Sequence, residues 1–228
     1  MNIKQITLEQ CEQETGLVVV IDVLRAFTTA AFALAAGAAD IVLVGSVAEA
    51  FALREMWPGA LIMGEVESRQ VPGFDFGNSP AALLDQDLHG RRLIHRSSAG
   101  TQGVVRSANA STIFTASFVC AQATVKAIRA MRPSLVTFVN TDNRPGYGEE
   151  DAACSDYLSA LLRDEQPDPA VYLDRVRYST SGRLFADPAV TDLPAADLDC
   201  ALQLDRFDFA MQVTRQNGRQ VLTAVTPS

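Results

Sequence analysis

The chain has 228 residues, 48% of them hydrophobic, enough to bury the core of one large domain or two small ones. Its formal charge of −8 speaks against nucleic acid or an acidic membrane surface as a partner, because such binders gather Lys and Arg to displace counterions. The longest uncharged apolar stretch, residues 26–39, is shorter than the ~20 residues of a spanning helix, so no membrane partner is expected.

The first sixteen residues, MNIKQITLEQCEQETG, place acids where a signal peptide needs a basic start and an apolar middle. The four cysteines, Cys11, Cys120, Cys154 and Cys200, form no CxxC pair, which suggests neither a zinc site nor a disulfide framework. A reducing, cytoplasmic address follows as the expectation. The aliphatic run LVVVI at residues 17–21 reads as a strand buried on both faces. An Ala-rich helix is expected over 25–37, a strand over 41–44, a helix over 48–57, and a strand over 60–63 that ends in Gly64-Glu65. After a Gly/Pro-punctuated loop the rhythm resumes, with a helix over 81–87, a strand over 92–95 and a helix starting near Gly100-Thr101. Strands over 111–115 and 135–139 flank a helix over 121–131 that stops before Pro133, and a long loop, 141–148, leads into a helix over 149–163.

This βαβ rhythm predicts an α/β fold, a mostly parallel three-layer sheet, as the body of residues 1–166. From 167 to 228 the texture turns Pro- and Asp-rich, then ends in strands 209–214 and 220–225 around Asn217-Gly218, a strong hairpin signal. These residues are read as a smaller C-terminal α+β subdomain carrying the hairpin. A free hairpin edge could pair with a second copy, which makes a homodimer the oligomer to test.

In open α/β sheets ligands bind beyond the carboxyl ends of the strands, so polar residues just after apolar runs are the first candidates. Asp22 and Glu65 end strands, Ser97, Ser98, Ala99, Gly100 and Thr101 follow another, and residues 140–151, with Glu149, Glu150 and Asp151, follow the last. Several carboxylates on one rim repel one another unless a cation shares them, and an all-oxygen set favours Mg²⁺. Each has a plainer alternative: Asp22 could cap the following helix, and Glu149 or Glu150 could complement a helix N-terminus. Arg25, in a first helical turn, opposes the macrodipole and needs an anion, either Asp22 or a bound phosphate or carboxylate. Residues 97–101, SSAGT, could offer N–H and O–H donors to phosphate, or be an ordinary turn, and they lack the Walker spacing. The stretch GFDFGNSP, residues 73–80, could be a wall that presents Asp75 and Asn78 to a cleft, or an Asn-capped helix over buried Phe74 and Phe76. His89 and His95 stand apart and are not read as a catalytic pair.

The ordered blocks IDVLRAFTT, GE, GFDFGNSP, SSAGT, EDAAC and DRFDF resemble those of the 2-phosphosulfolactate phosphatase family, over residues 18–209. The resemblance implies a Mg²⁺-dependent phosphatase that converts the phosphate ester of a small sulfonated acid, 2-phosphosulfolactate, to sulfolactate and phosphate, a step towards coenzyme M. The matching positions are Asp22, Arg25, Thr28, Thr29, Glu65, Asp75, Asn78, Ser98, Gly100, Thr101, Glu150, Asp151 and Cys154. On that basis Asp22, Glu65, Asp75, Glu150 and Asp151 would arrange the metal, Asp22, Arg25, Glu65 and Asp75 would carry the chemistry, and Arg25, Asn78, Ser97, Ser98, Gly100 and Thr101 would hold the substrate. The chain departs from the family pattern at Phe27, Ala99 and Cys120. The last two each replace an amide that could touch substrate, and a non-catalytic binding protein for a phosphorylated or sulfonated small acid is therefore the competing expectation.

Overall fold

The computed structural model describes residues 1–142 and 144–227. The LVVVI run forms β2 (Leu17–Ile21), buried at every position, and shows how the layers arise. Strand side chains alternate. Val18 and Val20 therefore join one apolar cluster with Phe27, Ala30 and Ala31 of α1 (Ala26–Ala35), while Leu17, Val19 and Ile21 join a second with residues of α4 (Ala121–Met131) and α5 (Glu149–Leu162). Helices cover both faces, as a fully apolar strand requires. On either side of β2 run β7 (Thr112–Ala116) and β8 (Leu135–Asn140), both parallel to it, and β1 (Asn2–Thr7) adds to the outer side of β8.

A second parallel group comprises β3 (Asp40–Leu43), β6 (Arg92–Arg96) and β4 (Leu61–Val66), edged by the two-residue β5 (Arg69–Gln70). Helix α2 (Val47–Met56) packs on this group; the Ser46 hydroxyl caps it by accepting the Glu49 N–H at 3.1 Å. Helix α3 (Gly100–Arg106) follows β6, and α6 (Pro169–Tyr178), α7 (Thr180–Ala186) and α8 (Ala195–Ala201) follow α5.

Strands β9 (Ala210–Gln216) and β10 (Arg219–Val225) make the expected hairpin, with Asn217 and Gly218 both at positive φ, 50° and 76°, as a tight two-residue turn demands. Its position differs from the expectation. Rather than standing on a peripheral subdomain, the hairpin occupies the middle of a ten-stranded sheet ordered β1-β8-β2-β7-β9-β10-β3-β6-β4-β5. β9 pairs antiparallel with β7 and β10 antiparallel with β3, and Ala210, Met211, Val213, Val221 and Leu222 are buried there. Because the direction reverses three times between β7 and β3, the two parallel groups run oppositely. In a flat sheet their carboxyl ends would point to opposite edges, but strand twist of roughly 20–25° per step, summed over the five steps from β2 to β6, swings those ends towards one another.

One local expectation is corrected. Residues 81–87 form only a 3-10 turn, Ala81–Leu83, after which the chain leaves to pair Leu88 N–H with Ala36 O and Gly90 N–H with Gly37 O. Asp85 and Asp87 would have sat at the negative end of a helix there. The N-terminal β1 was not anticipated, since NIKQIT on an edge is polar at most positions. Among the described residues no helix is long and apolar enough to cross a membrane, and all four cysteines are buried and free.

Candidate active site

The two groups of strands converge on a cavity of about 590 Å³. Asp22 after β2 and Thr141 and Asp142 after β8 come from one group, and Glu65 at the end of β4 and Ser98 after β6 come from the other. Six carboxylates line it, Asp22, Glu65, Glu67, Asp142, Glu150 and Asp151, against the guanidiniums of Arg25 and Arg144.

Asp22 caps α1: its Oδ1 accepts the Ala26 N–H at 2.9 Å. Burial, reinforced by the charges of Glu65 and Glu150, outweighs that hydrogen bond and raises its carboxyl to about 7. The start of α3 presses against it, so that a Cβ on Gly100 would stand 2.6 Å from Asp22 Oδ2 and 2.7 Å from Ala26 Cβ. Asp151 ties α5 to both strand ends. Its Oδ1 accepts the Val23 N–H at 2.9 Å, and its Oδ2 accepts the Thr141 N–H at 3.0 Å and hydroxyl at 3.1 Å. Burial raises its carboxyl too, with the Asp22 and Glu150 charges adding. Glu150 Oε1 accepts the Ser181 hydroxyl at 2.7 Å, while Oε2 is buried with no hydrogen-bond partner among the described residues, and burial again is the largest cause of a raised pKa.

Glu65 is held by the turn after β6. The Ser98 N–H donates to its Oε1, and its Oε2 accepts the Ser68 N–H at 2.6 Å and the Ser98 hydroxyl at 3.1 Å. The donors of Ser98 thus serve Glu65. Ser97 and Thr101 bond to each other, N–H to hydroxyl in both directions at 2.8 and 2.9 Å, and neither lines the cavity; of the SSAGT block only Ser98 and Ala99 reach it.

Arg25 has its anion, but it is not Asp22. Its Nη1 donates to Asp197 Oδ2 at 2.8 Å, with both side chains buried, its Nη2 donates to Ser68 O at 3.2 Å, and the guanidinium lies over the Phe185 ring. Asp197, on α8, also accepts the Ser79 hydroxyl at 2.6 Å and the Ala81 N–H at 3.1 Å, and so binds the GFDFGNSP segment to Arg25. That segment divides its roles. Phe74 is buried against Phe51, Asn78 reaches the cavity, and Asp75 lies outside it, accepting the Ile62 N–H at 2.7 Å beside Arg54. Glu149 lies outside the cavity, in the first turn of α5, and pairs with Arg175 on the surface.

Residues that sequence did not point to include Asp197 and Ser181, whereas Asp142, Arg144 and Tyr147 fall within the candidate stretch 140–151 and form a rim group in which Arg144 pairs with Asp142 at 2.6 Å and stacks over Tyr147. Of the two positions at which the resemblance leads one to expect an amide, Ala99 lines the cavity, but Cys120 does not; it is buried, bonded to Ser117 O and Thr124.

Among the described residues no three His, Cys, Asp or Glu side chains gather closely enough to hold an ion unaided. A hydrated Mg²⁺, which keeps several waters and takes one or two carboxylates, makes a smaller demand. Glu150, whose Oε2 has no hydrogen-bond partner among the described residues, and Asp22, disfavoured as an anion by burial and then by the Glu65 and Glu150 charges, fit that demand; Asp75 does not reach the cavity.

A buried, carboxylate-rich cavity with a locked arginine, at the carboxyl ends of an α/β sheet, is an enzyme site for a small polar molecule. The chain belongs to the 2-phosphosulpholactate phosphatase family, whose sequence model matches residues 3–216, and with it to the phosphoric monoester hydrolases. It is similar to a protein of Bacillus subtilis named "Probable 2-phosphosulfolactate phosphatase", at 28% identity over 201 residues, 88% of this chain and 87% of that one. Proteins of the same name from Carboxydothermus hydrogenoformans and Synechocystis are 40% and 36% identical, over 67% and 69% of this chain and 63% and 66% of theirs.

Proposed function

We propose that the cavity hydrolyses the phosphate ester of a small acidic metabolite, 2-phosphosulfolactate to sulfolactate and phosphate, with Mg²⁺. The observation that carries this reading is the convergence in one cavity of Asp22, Glu65, Glu150 and Asp151 with Arg25 and Asn78, residues drawn from distant parts of the chain. Six carboxylates against two guanidiniums repel a multiply charged anion, and a divalent cation resolves the conflict between an acidic cavity and an acidic substrate.

Asp22 and Glu150 would hold the cation, which when bound would neutralise charge on the phosphoryl oxygens. Arg25, fixed by Asp197, turns its remaining N–H donors to a substrate oxygen without having to reorganise. Asn78 adds an amide, and Leu24, Phe185 and Leu193 form an apolar wall that limits water. With no cation present, the Asp22 carboxyl keeps its proton up to about pH 7, so loading the site is coupled to release of that proton.

The test is phosphate release from a panel of phosphorylated hydroxy acids, including 2-phosphosulfolactate, with Mg²⁺ or EDTA. Metal-dependent release that disappears in Asp22→Asn supports the reading. Silence across the panel, with ligands still raising the melting temperature, would replace it with a binding role.

A further inference from the structure

His95 is fully buried in β6, and its Nε2 lies 3.3 Å from Oδ1 of Asn78. Its Nδ1 is also buried and has no hydrogen-bond partner among the described residues. The tautomer follows from this network. A proton on Nδ1 would be an orphaned buried donor, a rarer and costlier defect than a bare acceptor, whereas a proton on Nε2 meets an amide oxygen.

We infer that His95 is a positioning residue for anion recognition: by donating from Nε2 to Asn78 Oδ1 it holds the Asn78 amide with its NH₂ group towards the cavity. An Asn amide has nearly the same shape in its two flipped orientations, but one presents two donors to an oxyanion and the other presents a lone-pair oxygen. Asn78 is itself buried and lines the cavity, and its amide nitrogen has no other hydrogen bond among the described residues. Nothing but the ring therefore distinguishes the two orientations. Burial pushes the His95 pKa down to about 3, so the ring stays neutral and the arrangement persists through the working pH range. The inference rests on the phosphate-ester reading only for the identity of the anion.

The experiment compares wild type, His95→Leu and His95→Gln in phosphate release, and in calorimetric binding of inorganic phosphate with Mg²⁺ present. Leu suits a buried strand position but donates nothing, and the expected result is a rise in KM and in phosphate Kd of about tenfold, equal to about 1.4 kcal/mol, with kcat little changed and no loss of folding stability. Gln places an amide N–H near the Nε2 position and should recover most of the loss, which a purely structural role for the ring would not predict. A Leu variant with wild-type KM and phosphate affinity, or a Gln variant no better than Leu, overturns the inference. A wild type that binds phosphate but releases none sinks the phosphatase reading while the affinities still decide this one, and a wild type that does neither sinks both. Should the Leu variant not fold, the ¹⁵N shifts of the His95 ring in the wild type decide, and a proton found on Nδ1 overturns the assignment.

Discussion

Replacing Asp22 by Asn should make the metal-free protein more stable at alkaline pH while abolishing phosphate release. Its carboxyl is raised from the usual 3.8 to about 7 by burial and by the Glu65 and Glu150 charges. At about 1.36 kcal/mol per unit, that shift disfavours the ionised folded state by about 4 kcal/mol, a ceiling because Glu65 and Glu150 respond as well. The folded pKa lies above the unfolded one, so the folded state holds the proton more tightly. The resulting stability is complete below pH 3.8 and is lost as pH rises through about 7. Asn escapes this loss. It can keep an acceptor for the Ala26 N–H, but it turns an NH₂ group towards the start of α3, at a cost of about 1 kcal/mol. The net expectation is a gain of about 2–3 kcal/mol at pH 8 that shrinks to roughly 0.5 kcal/mol at pH 5 and turns into a loss of about 1 kcal/mol only below pH 3.8. Urea unfolding in EDTA at the two pH values, with the slope m checked for constancy, measures it. A difference of the same size at both pH values, or a variant weaker at pH 8, would refute the electrostatic reasoning.

Asp197→Asn leaves Arg25 buried without its counter-charge and should cost about 3–5 kcal/mol in urea unfolding; inorganic phosphate should restore more stability to this variant than to wild type, since it replaces the missing anion. Gly100→Ala forces a methyl group to 2.6 Å from Asp22 Oδ2, and should cost about 1–3 kcal/mol in thermal or urea unfolding together with most of the phosphate release. Mg²⁺ should raise the melting temperature more at pH 8 than at pH 6, because it need not displace the Asp22 proton at the higher pH, and the Asn variant should lose that pH dependence.

The strands of the body could be read from sequence because they carry their own signal: an all-aliphatic run such as LVVVI belongs only between two covering layers. The site could be read as far as strand ends carry it. Asp22 and Glu65 follow apolar runs, and both line the cavity. Arg25 announced the need for an anion, but not which one, because Asp197 lies 172 residues further along the chain and no local pattern links the two. Asp75 and Asn78 looked alike in sequence. They stand three residues apart, yet only Asn78 reaches the cavity, because Asp75 is tied to β4 through its N–H to Ile62 O and its carboxylate to Ile62 N–H. The Asn217-Gly218 turn was plain for the same reason that its placement was hidden: turn chemistry is local, whereas the neighbours of β9 and β10 are strands far back in the chain.

The order of synthesis gives the central hairpin a further meaning. Residues 210–225 leave the ribosome after every strand they join, so until they arrive β7 and β3 each expose an unpaired edge of the kind that invites association between chains. The hairpin contributes none of the cavity lining, yet it is what sets the Asp22 wall against the Glu65 wall. A nascent chain therefore carries nearly all of its chemistry before it has a site, and the late-made hairpin acts as the mortise that turns two half-sheets into one.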